Sequence, residues 1–353
     1  MSIPHQLSSK DWTQWFANEG ESSFTSKQFM QWMYDKLVLD FSQMSNLKKS
    51  VRAKLQQTFE GPSLELVKTS VSKDEETIKF LWKLQDEQLV ESVLIKADGR
   101  NTVCVSSQVG CKARCAFCAS GRRGLIRNLS VAEVVEQVIM IGAYLKPQEE
   151  RVSHLVFMGM GEPFHNTDTI ITVLKTLMDS DKLNFSNRKI TVSTVGVIEG
   201  IEQLMREDLR VNLALSLHAP NQRIRKKIIP TARQADIADI LKAVFNYGKM
   251  TKRDVTLEYI LLSDVNDQLH HADELADLVR KEQCTVNVIP YNPVQGVNLK
   301  RPETAQIKAF VRVLKRRRVN VTIRYTKGTD IDAACGQLAF MEKKSFPIEV
   351  KAV

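Results

Sequence analysis

No window of this 353-residue chain holds an apolar run long enough to span a bilayer. The opening residues, MSIPHQLSSKDW, lack a basic n-region followed by an apolar stretch, so no secretory signal is expected and the expected compartment is the cytoplasm. Internal repeats and low-complexity linkers are missing too, so nothing points to a solenoid or a flexible tether. Cysteine is scarce. Six in a chain without an export signal suit ligands or reactive thiols better than structural disulfides. A second C-x2-C knuckle, which a cysteine zinc site usually uses, does not occur.

What is present is an ordinary globular balance, 43% hydrophobic and 26% charged, with a net charge of +9. The basic surplus favours a polyanionic partner, RNA or DNA. The length suggests one large domain and an accessory piece. The first ninety or so residues read as mostly helical: DWTQWFANEG, SKQFMQWMYDKLV and KKSVRAKLQQTFEG carry apolar residues three and four apart. ETIKFLWKLQDEQLVESVLIKAD then alternates like a hairpin. From Thr102 onward strands and helices alternate. The strands are TVCVSS, HLVFMGM, KITVSTV, VNLALSL, VTLEYILL, TVNVIPY and VNVTIRY; the helices between them include SVAEVVEQVIMIGAYL, opened by a Ser130/Glu133 capping box, and HADELADLVRKEQ. The expected fold is α/β: a partial (β/α)6 TIM-type barrel preceded by a small helical domain, with its site at the C-terminal strand ends. The expected division is 1–88, an accessory part that includes the start of the hairpin; 89–330, the barrel; and 331–353, a C-terminal segment.

The stretch CKARCAFCASG places Cys111, Cys115 and Cys118 at C-x3-C-x2-C, just past the first barrel strand. Three readings compete. Inert buried thiols fit poorly with a glycine- and arginine-bearing loop. A zinc site would borrow Cys104 or a histidine as its fourth ligand. A [4Fe–4S] cluster held by three cysteines would leave one iron open for a chelating small molecule, and the amino and carboxylate groups of S-adenosylmethionine suit that position.

Other strand ends carry polar or glycine-rich tips. FMGMGEP offers Gly159, Gly161 and Glu162; VSTVG offers Ser193 and Thr194; LSLHAPN offers Ser216, Leu217 and His218; YNP offers Asn292. Each alone reads as a capped strand end or a turn, but recurrence on one face favours a shared ligand. Cys284 reads as a core residue, and Cys104 alone reads the same way. Cys335, in DIDAACGQLA, sits among small residues instead.

Together CVSSQVGCKARCAFC, MGMGEPFHN, SLHAPN, YNP and DIDAACGQLA resemble the RNA adenine methyltransferases of the radical SAM superfamily. The resemblance spans roughly Leu89 to the C-terminus. The ending FPIEVKAV looks like the branch that methylates adenine C2 in 23S rRNA and in tRNA beside the anticodon, rather than the sister branch that acts at C8.

The resemblance implies metal ligands Cys111, Cys115 and Cys118, and a cofactor pocket at Gly161, Glu162, Ser193, Ser216, Leu217, His218 and Asn292. It implies two S-adenosylmethionines per turnover: one methylates Cys335, the other yields a 5′-deoxyadenosyl radical that takes hydrogen from that methyl group. The carbon radical adds to C2. Loss of the C2 proton, with Glu91 as acceptor, and attack by Cys104 on the Cys335 sulfur then release the product and leave a disulfide. A flavodoxin- or ferredoxin-type electron donor, no membrane partner and a monomeric state are expected. Basic residues near the site, Arg122, Arg123, Arg225 and Lys226, are expected to meet RNA phosphates. For the Lys315–Arg318 run a solvated helix end is as good a reading.

Overall fold

The computed structural model describes residues 4–338 apart from 60, 98, 325 and 326. The FPIEVKAV tail, on which the choice of C2 branch leaned, lies outside the described residues.

Three short helices open the chain: α1 (Ser9–Asn18), α2 (Ser23–Met30) and α3 (Lys49–Thr58). Their apolar faces close on an aromatic cluster in which the Trp12 ring lies tilted against Phe29 at 4.3 Å and Phe59 at 4.7 Å between ring centres. This cluster is continuous with the core of the rest of the chain.

A ten-stranded sheet follows as an open arc. It begins with β1 (Leu64–Val71), β2 (Thr77–Leu84) and β3 (Leu89–Ala97), all antiparallel, and β3 pairs antiparallel with β4 (Arg100–Cys104). The chain then makes a two-stranded ribbon, β5 (Gln108–Gly110) with β6 (Leu125–Asn128), enclosing the cysteine loop and α4 (Ala119–Arg123). Beyond it α5 (Val131–Leu145), β7 (His154–Phe157), α6 (Thr167–Met178), β8 (Ile190–Thr194), α7 (Ile198–Arg206), β9 (Asn212–Ser216), α8 (Gln222–Ile228), α9 (Ile237–Thr251), β10 (Val255–Leu261), α10 (Leu269–Val279), β11 (Cys284–Pro290), α11 (Thr304–Arg316) and β12 (Val321–Ile323) succeed one another. Strands β4, β7, β8, β9, β10, β11 and β12 are neighbours in that order and parallel throughout. This is the partial barrel expected from the alternation, with every one of the seven strands in place.

The parallel strands are buried because helices cover their outer face; in VTLEYIL of β10 every residue but Thr256 is buried. At the start of α5, Ser130 accepts from the Glu133 amide and Glu133 accepts from the Ser130 amide, the capping box read from sequence. One element departs from expectation. β1 falls in the region read as helical, because LELVKTSV lacks a clean period of two. A bulge between Leu66 and Lys68 shifts its register, and most of the strand is solvent-exposed at the sheet edge.

Candidate active site

A single cavity at the C-terminal ends of the parallel strands is walled by Cys104, all three loop cysteines and Cys335. The loop holding Cys111, Cys115 and Cys118 is tightened by two glycines. A Cβ on Gly110, already at φ +76°, would collide with the Gly124 carbonyl, and one on Gly121 would lie 2.9 Å from the Cys115 amide nitrogen. Burial raises the pKa of all three thiols, Cys111 to about 12, and the charge of Cys118 raises Cys111 and Cys115 further. A cationic metal centre would reverse that penalty by binding the thiolates. Among the described residues no set of three or more His, Cys, Asp or Glu converges on one ion position. Three thiols lining one cavity together with Glu162, Ser193, Ser216 and His218 fit a cluster with a small-molecule ligand.

The strand ends bring polar groups to the same cavity. Gly159 and Gly161 follow β7 where backbones come close: a Cβ on Gly159 would sit 2.7 Å from the Val105 carbonyl, and one on Gly161, at φ +104°, 2.7 Å from Gln108 Cβ and Ser107 Oγ. Glu162 is buried. Its carboxylate accepts from the Val195 amide at 2.7 Å and the Phe164 amide at 3.0 Å, yet burial wins and pushes its pKa up to about 7. Ser193 Oγ and Ser216 Oγ, on adjacent strand ends, are 3.4 Å apart. His218 adopts φ +56° and meets the Phe117 ring edge-to-face at 4.9 Å. Its Nδ1 accepts from the Ile260 amide, so the proton sits on Nε2. Burial, assisted by Arg225, drives its pKa down to about 3, so the ring is neutral.

The two remaining cysteines face the same cavity. Cys104 ends β4 and is buried; desolvation and the nearby Cys335 raise its thiol to about 12, opposed by Arg324. Cys335 keeps surface open to the cavity, yet the surrounding protein raises its pKa as well, again opposed by Arg324. Its segment is tied on several sides. Asn292 Nδ2 donates to the Cys335 carbonyl at 3.3 Å, the Ala119 amide to the Gly336 carbonyl at 2.8 Å, and Gln337 Nε2 to the Pro293 carbonyl at 2.9 Å.

Several candidates lie elsewhere. Leu217 has a fully buried side chain and offers only backbone: its amide donates to the Glu258 carbonyl at 3.1 Å. Glu91 is outside the cysteine cavity and lines an adjoining groove. Arg122 is half-buried and donates to the Gln295 carbonyl at 2.6 Å, while Arg123 and Lys226 are exposed. The expectation for Arg225 is corrected. It is fully buried and donates to the carbonyls of Val195, Ser216 and Leu217, so it ties the ends of β8 and β9 together and cannot reach an RNA phosphate. Its place in the basic run RIRKK suggested a phosphate contact; the fourth residue of α8 points inward instead.

Sequence reasoning missed Arg324, directly after β12. It feels the charges of Cys335, Glu258 and Cys104, and its Nη1 lies 3.6 Å from Met158 Sδ. It also missed the buried Glu258, which accepts from Asn287 Nδ2 at 2.9 Å. Neither belongs to a spaced motif, so no local signal marks them.

Residues 105–279 match the model of the radical SAM superfamily, and residues 5–60 match that of the ribosomal RNA large subunit methyltransferase N-terminal domain. A probable dual-specificity RNA methyltransferase RlmN 2 from Protochlamydia amoebophila is 54% identical over 331 residues, covering 94% of this chain and 92% of the relative. The chain belongs to the RlmN family. A second RlmN, from Lysinibacillus sphaericus, is 44% identical over 96% of this chain and 88% of its own length. The crystal structure of a radical SAM methyltransferase from Sphaerobacter thermophilus superposes with a TM-score of 0.93 at 38% identity, covering 96% of this chain and 99% of that one. RlmN membership carries with it the radical SAM pairing of S-adenosylmethionine with an iron–sulfur cluster.

Proposed function

We propose that this protein methylates C2 of adenosine in 23S rRNA and in tRNA beside the anticodon, through a methyl group carried on Cys335. The observation that carries the reading is that Cys104 and Cys335 share one cavity with the three loop cysteines. The names of the relatives support RNA as substrate, and the matched N-terminal model supports large-subunit rRNA in particular.

Cys111, Cys115 and Cys118 hold the [4Fe–4S] cluster, and the Gly161–Glu162 pair, Ser193, Ser216, the Leu217–His218 backbone and Asn292 hold S-adenosylmethionine. Together cluster and cofactor supply a 5′-deoxyadenosyl radical when bound. The protein supplies the rest. Cys335 loses its thiol proton and takes a methyl group from a first S-adenosylmethionine. After hydrogen abstraction its methylene carbon bonds to C2. The adduct gives its C2 proton to Glu91 and loses one electron, for which the cluster held by Cys111, Cys115 and Cys118 would be the acceptor. Cys104 thiolate then attacks the Cys335 sulfur, so an S–S bond forms as the S–CH2 bond breaks, and the released carbon takes a proton to become the methyl group. Arg324, beside both cysteines, favours the thiolate each step requires.

We retain residues 1–88 as an RNA-binding accessory part and 331–353 as the segment that presents Cys335. A flavodoxin- or ferredoxin-type donor, a cytoplasmic location and a monomeric state complete the reading. Among the described residues no helix is long and apolar enough to cross a membrane. The test is chromatography and mass spectrometry of nucleosides from a strain lacking the gene. Loss of 2-methyladenosine, restored by the intact gene, supports C2; loss of 8-methyladenosine moves the reading to C8; no change removes it.

A further inference from the structure

Arg225 holds donors that the fold does not use. Its Nε donates to the Leu217 carbonyl and its Nη2 to the carbonyls of Val195 and Ser216. Nη1, with two further N–H groups, is buried and has no hydrogen-bond partner among the described residues. The whole side chain is buried, a costly place for a cation with open donors. Its helix packs on the cysteine loop. The Ala116 amide donates to the Ile228 carbonyl at 2.9 Å, and Ile224 and Ile228 share one apolar cluster with Cys111, Cys115 and Phe117. Val195 and Ser216, whose carbonyls hold the guanidinium, line the same cavity as Cys115. The negative charges that favour the guanidinium are those of Cys115 first and Glu162 second.

We propose that Arg225 is a positioning residue for the iron–sulfur centre: locked on three carbonyls, it holds a fixed positive charge behind Cys115 and so favours the reduced form of the cluster that Cys115 helps to hold. The inference rests on the reading of Cys115 as a cluster ligand. Gaining an electron makes a cluster more negative, so a nearby cation and donors free to meet its sulfurs raise its reduction potential. The buried setting strengthens that effect, because little solvent screens the charge. The three carbonyls keep the guanidinium in place whether or not the cluster is reduced. Glu162 is the competing anion, but its carboxylate already accepts from the Val195 and Phe164 amides. Lys226, next along α8, is exposed and cannot substitute.

The test is an anaerobic redox titration of the full chain, reconstituted with iron and sulfide and without S-adenosylmethionine. Wild type, Arg225→Met, Arg225→Lys, Ile228→Ala and Cys115→Ala are compared. Thermal melting and iron content are read first, and the reduced cluster is then followed by electron paramagnetic resonance against the applied potential. In Arg225→Met the reduced fraction at a fixed potential near the midpoint should fall about tenfold, a shift of about 59 mV to lower potential for a one-electron couple. Arg225→Lys keeps the charge and should stay close to wild type. Ile228→Ala loosens the packing between α8 and the cysteine loop without touching a charge, so it should lower melting and leave the midpoint alone. A wild-type midpoint in Arg225→Met with full iron content overturns the inference, even where affinity for S-adenosylmethionine falls, since that places the effect on Glu162. An equal shift in Arg225→Lys or in Ile228→Ala overturns it too, because charge is then not the cause. A Cys115→Ala variant that keeps the wild-type cluster spectrum and iron content removes the underlying reading and the inference with it. Should Arg225→Met fail to melt cooperatively, Arg225→Gln, which still offers two donors to the carbonyls, takes its place with the same expectations.

Discussion

Glu162 shows how burial sets the working range of a single side chain. Its two backbone donors favour the carboxylate, but desolvation outweighs them and the pKa stands at about 7. Because the pKa is raised, the carboxyl is neutral below that pH and ionised above it. In the proposed cofactor pocket the ionised form is the one that would attract the ammonium of S-adenosylmethionine. Affinity for the cofactor should therefore tighten as pH rises through about 7, and Glu162→Gln should flatten the dependence. Calorimetric titration of reconstituted protein reads this directly; an affinity independent of pH contradicts the role. Gly161 is the companion case. At φ +104° with Gln108 and Ser107 inside Cβ contact distance, Gly161→Ala adds backbone strain and a clash, for which a cost of about 1–3 kcal/mol is expected. Both residues were legible in the sequence because MGMGEP clusters them at a strand end. Arg324 was not: it is one cation among 50 lysines and arginines, and its meaning appears only where distant segments meet.

At the scale of elements, Arg225 and Lys226 stand side by side in α8 and do opposite things. Arg225 points inward and holds three strand-end carbonyls; Lys226 points to solvent. Arg225→Met should cost on the order of 3 kcal/mol from lost charged hydrogen bonds, seen as a lower melting temperature. Lys226→Ala should leave melting unchanged and reduce the salt slope of RNA binding by about one unit. An unchanged slope returns Lys226 to the solvated surface. Period and position decide what can be read here. The seven parallel strands were legible because burial on both faces makes them β-branched and apolar, and the intervening helices carry caps. β1 was not, since an exposed, bulged edge strand has no hydrophobic face to repeat. The inward-pointing Arg225 of α8 was hidden for the converse reason: a buried arginine looks like a surface one until the carbonyls it satisfies are known.

Across the whole molecule, three parts far apart in sequence converge. The barrel supplies the cofactor face, β4 ends on Cys104, and the last described residues bring Cys335 back over the same cavity. In the proposed function that convergence serves a covalent detour, since C2 of adenine is electrophilic and cannot attack a sulfonium directly. The measurement that tests it most directly is a denaturing gel of Cys104→Ala and Cys335→Ala after turnover with RNA. Cys335→Ala should form neither conjugate nor product. Cys104→Ala should accumulate a protein–RNA conjugate that resists reductant and disappears on nuclease treatment. Normal turnover by Cys104→Ala, or two variants alike in trapping no RNA, contradicts the account.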